Sequence, residues 1–194
     1  MKRFLSIAIL FLLTIPLTAQ ELISRDENDL YTFVSTGFSY DRSGGFIVPI
    51  DRTGIALTYL LDKKSGVENY ILFFELETVD ESLSVDQNAF LYIKTFQDNI
   101  ITLKQLKPHY EINKHQSCRI KEVGKGSFYV YSIFPSYTIS KEDLQIIMNE
   151  GVKKFAFMTT ATIYTIVYKE DVIGKILVKD HELIHKNVDF SEDF

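Results

Sequence analysis

The residues best suited to chemistry lie near the end of the chain, in His181-Glu182-Leu183-Ile184-His185. Two imidazoles one helical turn apart can share a zinc ion, and a carboxylate beside the first can activate a zinc-bound water. This H-E-x-x-H spacing therefore raises zinc-dependent hydrolysis, with His181 and His185 as metal ligands and Glu182 as base. A hydrolase of this kind also needs a third ligand. The extended form of the motif would put Gly at 188 and His or Asp at 191, where this chain has Val188 and Ser191. Asp189 and Glu192 match no known spacing, and His109 and His115 could approach only through the fold.

Other constellations are thinner. His109, His115 and Cys118 in "KPHYEINKHQSC" include an H-x-x-C that could ligate zinc or copper, but no second pair accompanies it. A lone cysteine at the start of a strand is expected to be buried and inert. Glu75 and Glu77 are two apart on one strand, so they share a face and do not straddle a substrate as a glycosidase pair must; they read as a solvated sheet face. In "SFYVYSIFPSY" the residues Tyr129, Tyr131, Ile133, Pro135 and Tyr137 alternate onto one side. Such a face could hold a sugar ring or a partner protein, and tyrosines also simply suit a pleated surface. Ser43-Gly44-Gly45 and Gly124-Lys125-Gly126 read as turns, too short to cradle a phosphate. No catalytic, cofactor-binding or metal residue is assigned on this basis, and no cofactor is expected.

The elements that must position these residues follow from pattern. Gly54 to Leu61 and Asn69 to Glu77 are apolar runs separated by the turn Asp62-Lys63-Lys64-Ser65-Gly66, the signature of a hairpin. Tyr70, Leu72, Phe74 and Leu76 share one face of the second strand. Ala89 to Thr95 with Ile100 to Leu103, Ser117 to Val123 with Ser127 to Tyr137, and Phe155 to Met158 with Ile163 to Tyr168 read as further hairpins. Leu30 to Val34 reads as an edge strand. Ser140 is an N-cap with Asp143 three residues on, Leu144, Ile147 and Met148 follow at helical spacing, and Gly151 supplies a stop. A second helix runs from about Val172 to Asn187, with strand as the alternative for its first half. At about 100° per residue, Ile173, Ile176, Leu177, Ile184 and Val188 form its apolar stripe. His181 falls at the stripe's edge, His185 about 40° beyond, and Glu182 nearly opposite. Two rim histidines on an amphipathic helix are the favoured reading of the motif.

Hairpins with few helices imply an α+β fold, mainly antiparallel, with both helices packed on the sheet; a β-sandwich with peripheral helices is the second reading. Met1-Lys2-Arg3, the apolar run Phe4 to Ile15 and Pro16-Leu17-Thr18-Ala19 have the layout of a secretory signal peptide cut after Ala19. The run is shorter than the ~20 residues of a membrane span. Residues 20–29 read as a flexible lead-in and 30–194 as one domain. Loss of Lys2 and Arg3 with no acid takes the formal charge from −5 to −7, which disfavours nucleic acid and anionic membranes as partners. The single cysteine permits no internal disulfide.

"AFLYIKTFQDNIITLKQL" and "YTISKEDLQIIMNEGVKKFAF" resemble, respectively, a strand-turn-strand unit and the strand-helix-Gly-strand unit that follows it in small exported bacterial proteins of unknown function. The resemblance implies the α+β fold and export, and no activity. The sequence is thus read as an exported, periplasmic or extracellular protein, a non-enzymatic domain for a protein, small-molecule or glycan ligand. A small zinc hydrolase using residues 181–185 is the alternative.

Overall fold

The computed structural model describes residues 22–41, 50–79, 85, 89–106, 117–123, 126–159 and 163–189. The expected signal peptide, His109, His115 and the turns at 43–45 and 124–125 lie outside them. Two antiparallel sheets carry two helices, as the α+β reading expects. The larger sheet is built on one long hairpin, β4 (Ile50–Asp62) and β5 (Val67–Thr78). Its turn is set locally: Asp62 Oδ1 accepts from Lys64 N at 2.9 Å and Ser65 N at 3.2 Å, and Gly66 takes the left-handed φ of 69°.

Each central strand is flanked by two shorter ones in succession. β2 (Tyr31–Thr36) and β3 (Ser39–Asp41) share the edge of β4, while β10 (Ser136–Ile139) and β9 (Gly126–Ile133) share that of β5. β1 (Leu22–Glu27) pairs with β2, and β8 (Ser117–Val123) closes the other side on β9. Two expectations change here. Residues 22–27 are a charged edge strand instead of a flexible lead-in, and β2 lies inside the sheet instead of at its edge. The smaller sheet runs β12-β11-β6-β7, made of β6 (Phe90–Thr95), β7 (Ile100–Lys104), β11 (Val152–Met158) and β12 (Ile163–Val167). It joins the larger sheet at one corner, through a Gln105–Tyr137 bridge and a Leu106 N to Ser136 O bond of 2.9 Å.

The two sheets pack face to face across Phe74, whose ring lies 5.3 and 5.2 Å from Phe155 and Phe157 in edge-on contacts. To that extent the sandwich reading is also represented, but the helices are not peripheral. α1 (Lys141–Glu150) buries Leu144 and Ile147, and its first turn is capped by Ser140 Oγ accepting from Asp143 N at 3.0 Å. α2 (Ile173–Asp189) buries Ile173, Leu177 and Ile184 against β2 and β4, as its stripe predicts. One apolar core contains residues of both sheets and both helices. Among the described residues no helix is long and apolar enough to cross a membrane.

Candidate functional site

α2 places the H-E-x-x-H residues as its periodicity demands. Both histidines sit half-buried at the rim of the apolar stripe and Glu182 is exposed. The two imidazoles lie 4.2 Å apart, centre to centre. Their neighbours are tyrosines of the central hairpin: His181 stacks on Tyr70 at 5.9 Å, and His185 Nε2 is 3.2 Å from the Tyr70 hydroxyl. Tyr59 packs on Tyr70 at 5.3 Å and lies 6.3 Å from His185. Behind them Glu68 accepts from Lys141 Nζ at 2.8 Å and from the Tyr59 hydroxyl at 3.4 Å. Among the described residues no three His, Cys, Asp or Glu side chains converge at metal-binding distance.

Burial here favours the neutral forms of Tyr70 and His181. Burial, with Glu68 and Tyr59 adding to it, pushes the Tyr70 phenol up to about 12, so it stays protonated. Burial first, then the neighbouring His185 and Lys141, lower the His181 pKa below its ordinary 6.5. A test follows from linkage. The unfolded chain binds this proton more readily than the folded one, so the neutral ring's contribution is complete above pH 6.5 and is lost as the pH falls below that value through the lower folded-state pKa. Glu68, held low first by its bond from Lys141, adds its own loss only below its ordinary 4.5. Urea midpoints should therefore fall between neutral pH and pH about 5, and His181→Phe, which keeps the stack on Tyr70 without the proton, should flatten that fall. An unchanged slope in the variant would assign the loss elsewhere.

The tyrosine stripe does not survive folding. Tyr129 is exposed and Tyr131 half-buried, but Ile133, Pro135 and Tyr137 are buried. Pro135 has no N–H for the ladder, and the strand breaks there into β9 and β10. Its carbonyl instead accepts from Phe74 N at 2.9 Å, and the chain turns inward, leaving Tyr137 edge-on to Phe74 in the core. The carboxylate pair is not a solvated face either. Glu77 is only 4 % exposed. Glu75 is half-buried and accepts from the Tyr40 hydroxyl at 2.5 Å and from Ser132 Oγ at 3.1 Å. The Tyr40 ring reaches it across Gly54, where a Cβ would stand 2.8 Å from the ring. Cys118 lies in β8, and its side chain lies outside the described residues.

No family model, curated protein or solved structure matches this chain.

A surface that sequence reading missed is the outward side of the smaller sheet. In register across it Val167, Lys154, Lys94 and Ile100 stand in one row, Ile163 pairs with Met158 and Phe90 with Lys104, and Tyr92 lies between. Five of the nine exposed large apolar side chains among the described residues lie on this one face. Four strands about 4.8 Å apart and five residues at about 3.4 Å make it roughly 19 by 17 Å. Its charges are Lys94, Lys104 and Lys154, with no acid among the outward strand positions; Lys94 is paired with Asp98 in the adjoining turn at 2.9 Å. Strand alternation was the available signal: Phe90, Tyr92, Ile100, Ile163 and Val167 all occupy the opposite phase to buried neighbours.

Proposed function

We propose that this is an exported, non-enzymatic interaction domain whose partner docks on the outward face of the smaller sheet. The observation that carries the reading is the concentration of exposed Phe90, Tyr92, Ile100, Ile163 and Val167 on one flat face. The largest apolar patch on a soluble protein, typically a few hundred Å², is often functional. The lysines at its rim, in a chain of net charge −5, suit a protein partner with acidic residues around an apolar centre. Export is supported by the Met1–Ala19 pattern. The H-E-L-I-H residues serve here as packing, since both imidazoles turn toward Tyr70.

The test places a photoreactive benzophenone side chain at position 92 and, separately, at position 182, in cells of the source organism. A discrete adduct from position 92 and none from 182 is the expected result. No adduct from a folded, exported protein labelled at 92 would remove the reading. So would stoichiometric zinc in purified protein that disappears when His181 and His185 become Ala, because that result belongs to a zinc hydrolase.

A further inference from the structure

Among the described residues the two sheets end on β1, β3, β8, β7 and β12, and all but β12 are protected against pairing with another chain; β3 is only three residues long and ends on Asp41. β1 carries Arg25, Asp26 and Glu27, and β8 carries Arg119, Lys121 and Glu122. β7 ends on Lys104 and is tied to β10 by the Gln105–Tyr137 bridge. Charged residues and covering elements are the usual means of blunting a sheet edge. β12 differs. Its sequence, Ile163-Tyr164-Thr165-Ile166-Val167, has no charge, proline or glycine, and among the described residues its only partner strand is β11. Ile163 and Val167 are 59 % and 65 % exposed.

We propose that β12 pairs with β12 of a second copy, antiparallel about a two-fold axis through Thr165, so that the two smaller sheets become one continuous sheet. In that register Ile163 of one copy lies opposite Val167 of the other, and the two Thr165 side chains meet on the axis. Both pairings are favourable for cross-strand neighbours. The strand is neutral, so the pairing brings no like charges together within it. Stacking two copies face to face instead would oppose their lysine-bearing surfaces. Because the remaining edges are charged or tied, the contact is isologous and closes at two copies without growing into a filament. A five-residue strand pair buries less than the roughly 1,200 Å² of a standard interface, which places the dimer in the weak, reversible class. The inference stands on the open strand edge, and Ile163, Thr165 and Val167 of that edge also border the partner-binding face.

The experiment is sedimentation velocity on purified residues 20–194 over a range of concentrations. The wild type should shift from monomer to dimer across the micromolar range. T165K and T165E, each placing like charges on the axis, should raise the dimer dissociation constant by roughly a hundredfold. Mixed in equal amounts, they should restore dimer as the mixed pair. Circular dichroism reports whether each variant is folded, and if either is not, the pair is replaced by I163K/V167K and I163E/V167E, which set like charges opposite one another at the two flanking, exposed positions. A wild type that stays monomeric throughout, a T165K protein that still dimerises, or a folded mixture that does not, would each overturn the proposal.

Discussion

Phe74→Ala should lower the unfolding free energy by about 4 kcal/mol, the middle of the range for a fully buried aromatic truncated in a core. Phe74 is wholly buried at the point where the two sheets meet. Its ring touches Phe155 and Phe157 of the smaller sheet and Tyr137 of β10, all edge-on at 5.2 to 6.0 Å. The substitution loses the apolar burial and those ring contacts, and it opens a cavity between two hydrogen-bonded layers that cannot simply close on it. For a chain of this length the loss corresponds to a melting temperature about 10 °C lower. Phe74→Leu, which retains most of the volume, should cost less than half as much. Equal losses from Ala and Leu would mean that ring geometry, and not filled volume, holds the sheets together.

Phe74 was also legible from the sequence, and the reason separates what could be read from what could not. The face Tyr70, Leu72, Phe74 and Leu76 follows from alternation alone, and its turn follows from Asp62 and Gly66, all within one short stretch. The capped start of α1 and the apolar stripe of α2 are local in the same way. Residues 22–27 failed because their composition reads as loop; pairing with β2, and no preference of their own, makes them a strand. Glu75 failed because the hydroxyls that hold it come from Tyr40 and Ser132, 35 and 57 positions away. The tyrosine stripe was a misreading that the sequence could have prevented, since Pro135 sits within it. Asp180 had a signal too: three residues after Leu177 and four before Ile184, it stands on the apolar stripe, and it is fully buried.

The H-E-x-x-H motif shows how periodicity can discipline a chemical signal. The stripe puts His181 and His185 at its rim and Glu182 in solvent, and those positions are observed. What the stripe could not name was their neighbour. Tyr70, more than a hundred residues earlier, takes both rings, one by stacking and one by its hydroxyl. The same central hairpin therefore orders the core on one strand face through Phe74 and seats the terminal helix through Tyr70 and Tyr59.

The start of α2 carries the second large prediction, which concerns a single carboxylate. Asp171 Oδ1 accepts from Gly174 N at 2.8 Å, satisfying a free amide of the helix's first turn, and from Val152 N at 3.0 Å, the first residue of β11. Val152 is fully buried, so its amide has no water to turn to. Asp171→Ala removes a helix cap and strands that amide, and the two losses together should cost about 3 kcal/mol. Two glycines make room for the carboxylate. A Cβ at Gly151 would stand 2.5 Å from Asp171 Cγ, on a backbone with φ of 70°, and a Cβ at Gly174 would stand 2.5 Å from Asp171 Oδ2. Glycine-to-alanine replacement inside a helix ordinarily stabilises by up to about 1 kcal/mol. At Gly174 the sign should reverse, to a loss of about 2 kcal/mol from overpacking. In an Asp171→Ala background the obstruction is gone, and Gly174→Ala should return to its ordinary favourable effect. A double-mutant cycle by urea denaturation reads this change of sign directly. A Gly174→Ala effect that is the same in both backgrounds would show that Asp171 does not hold the helix start against β11.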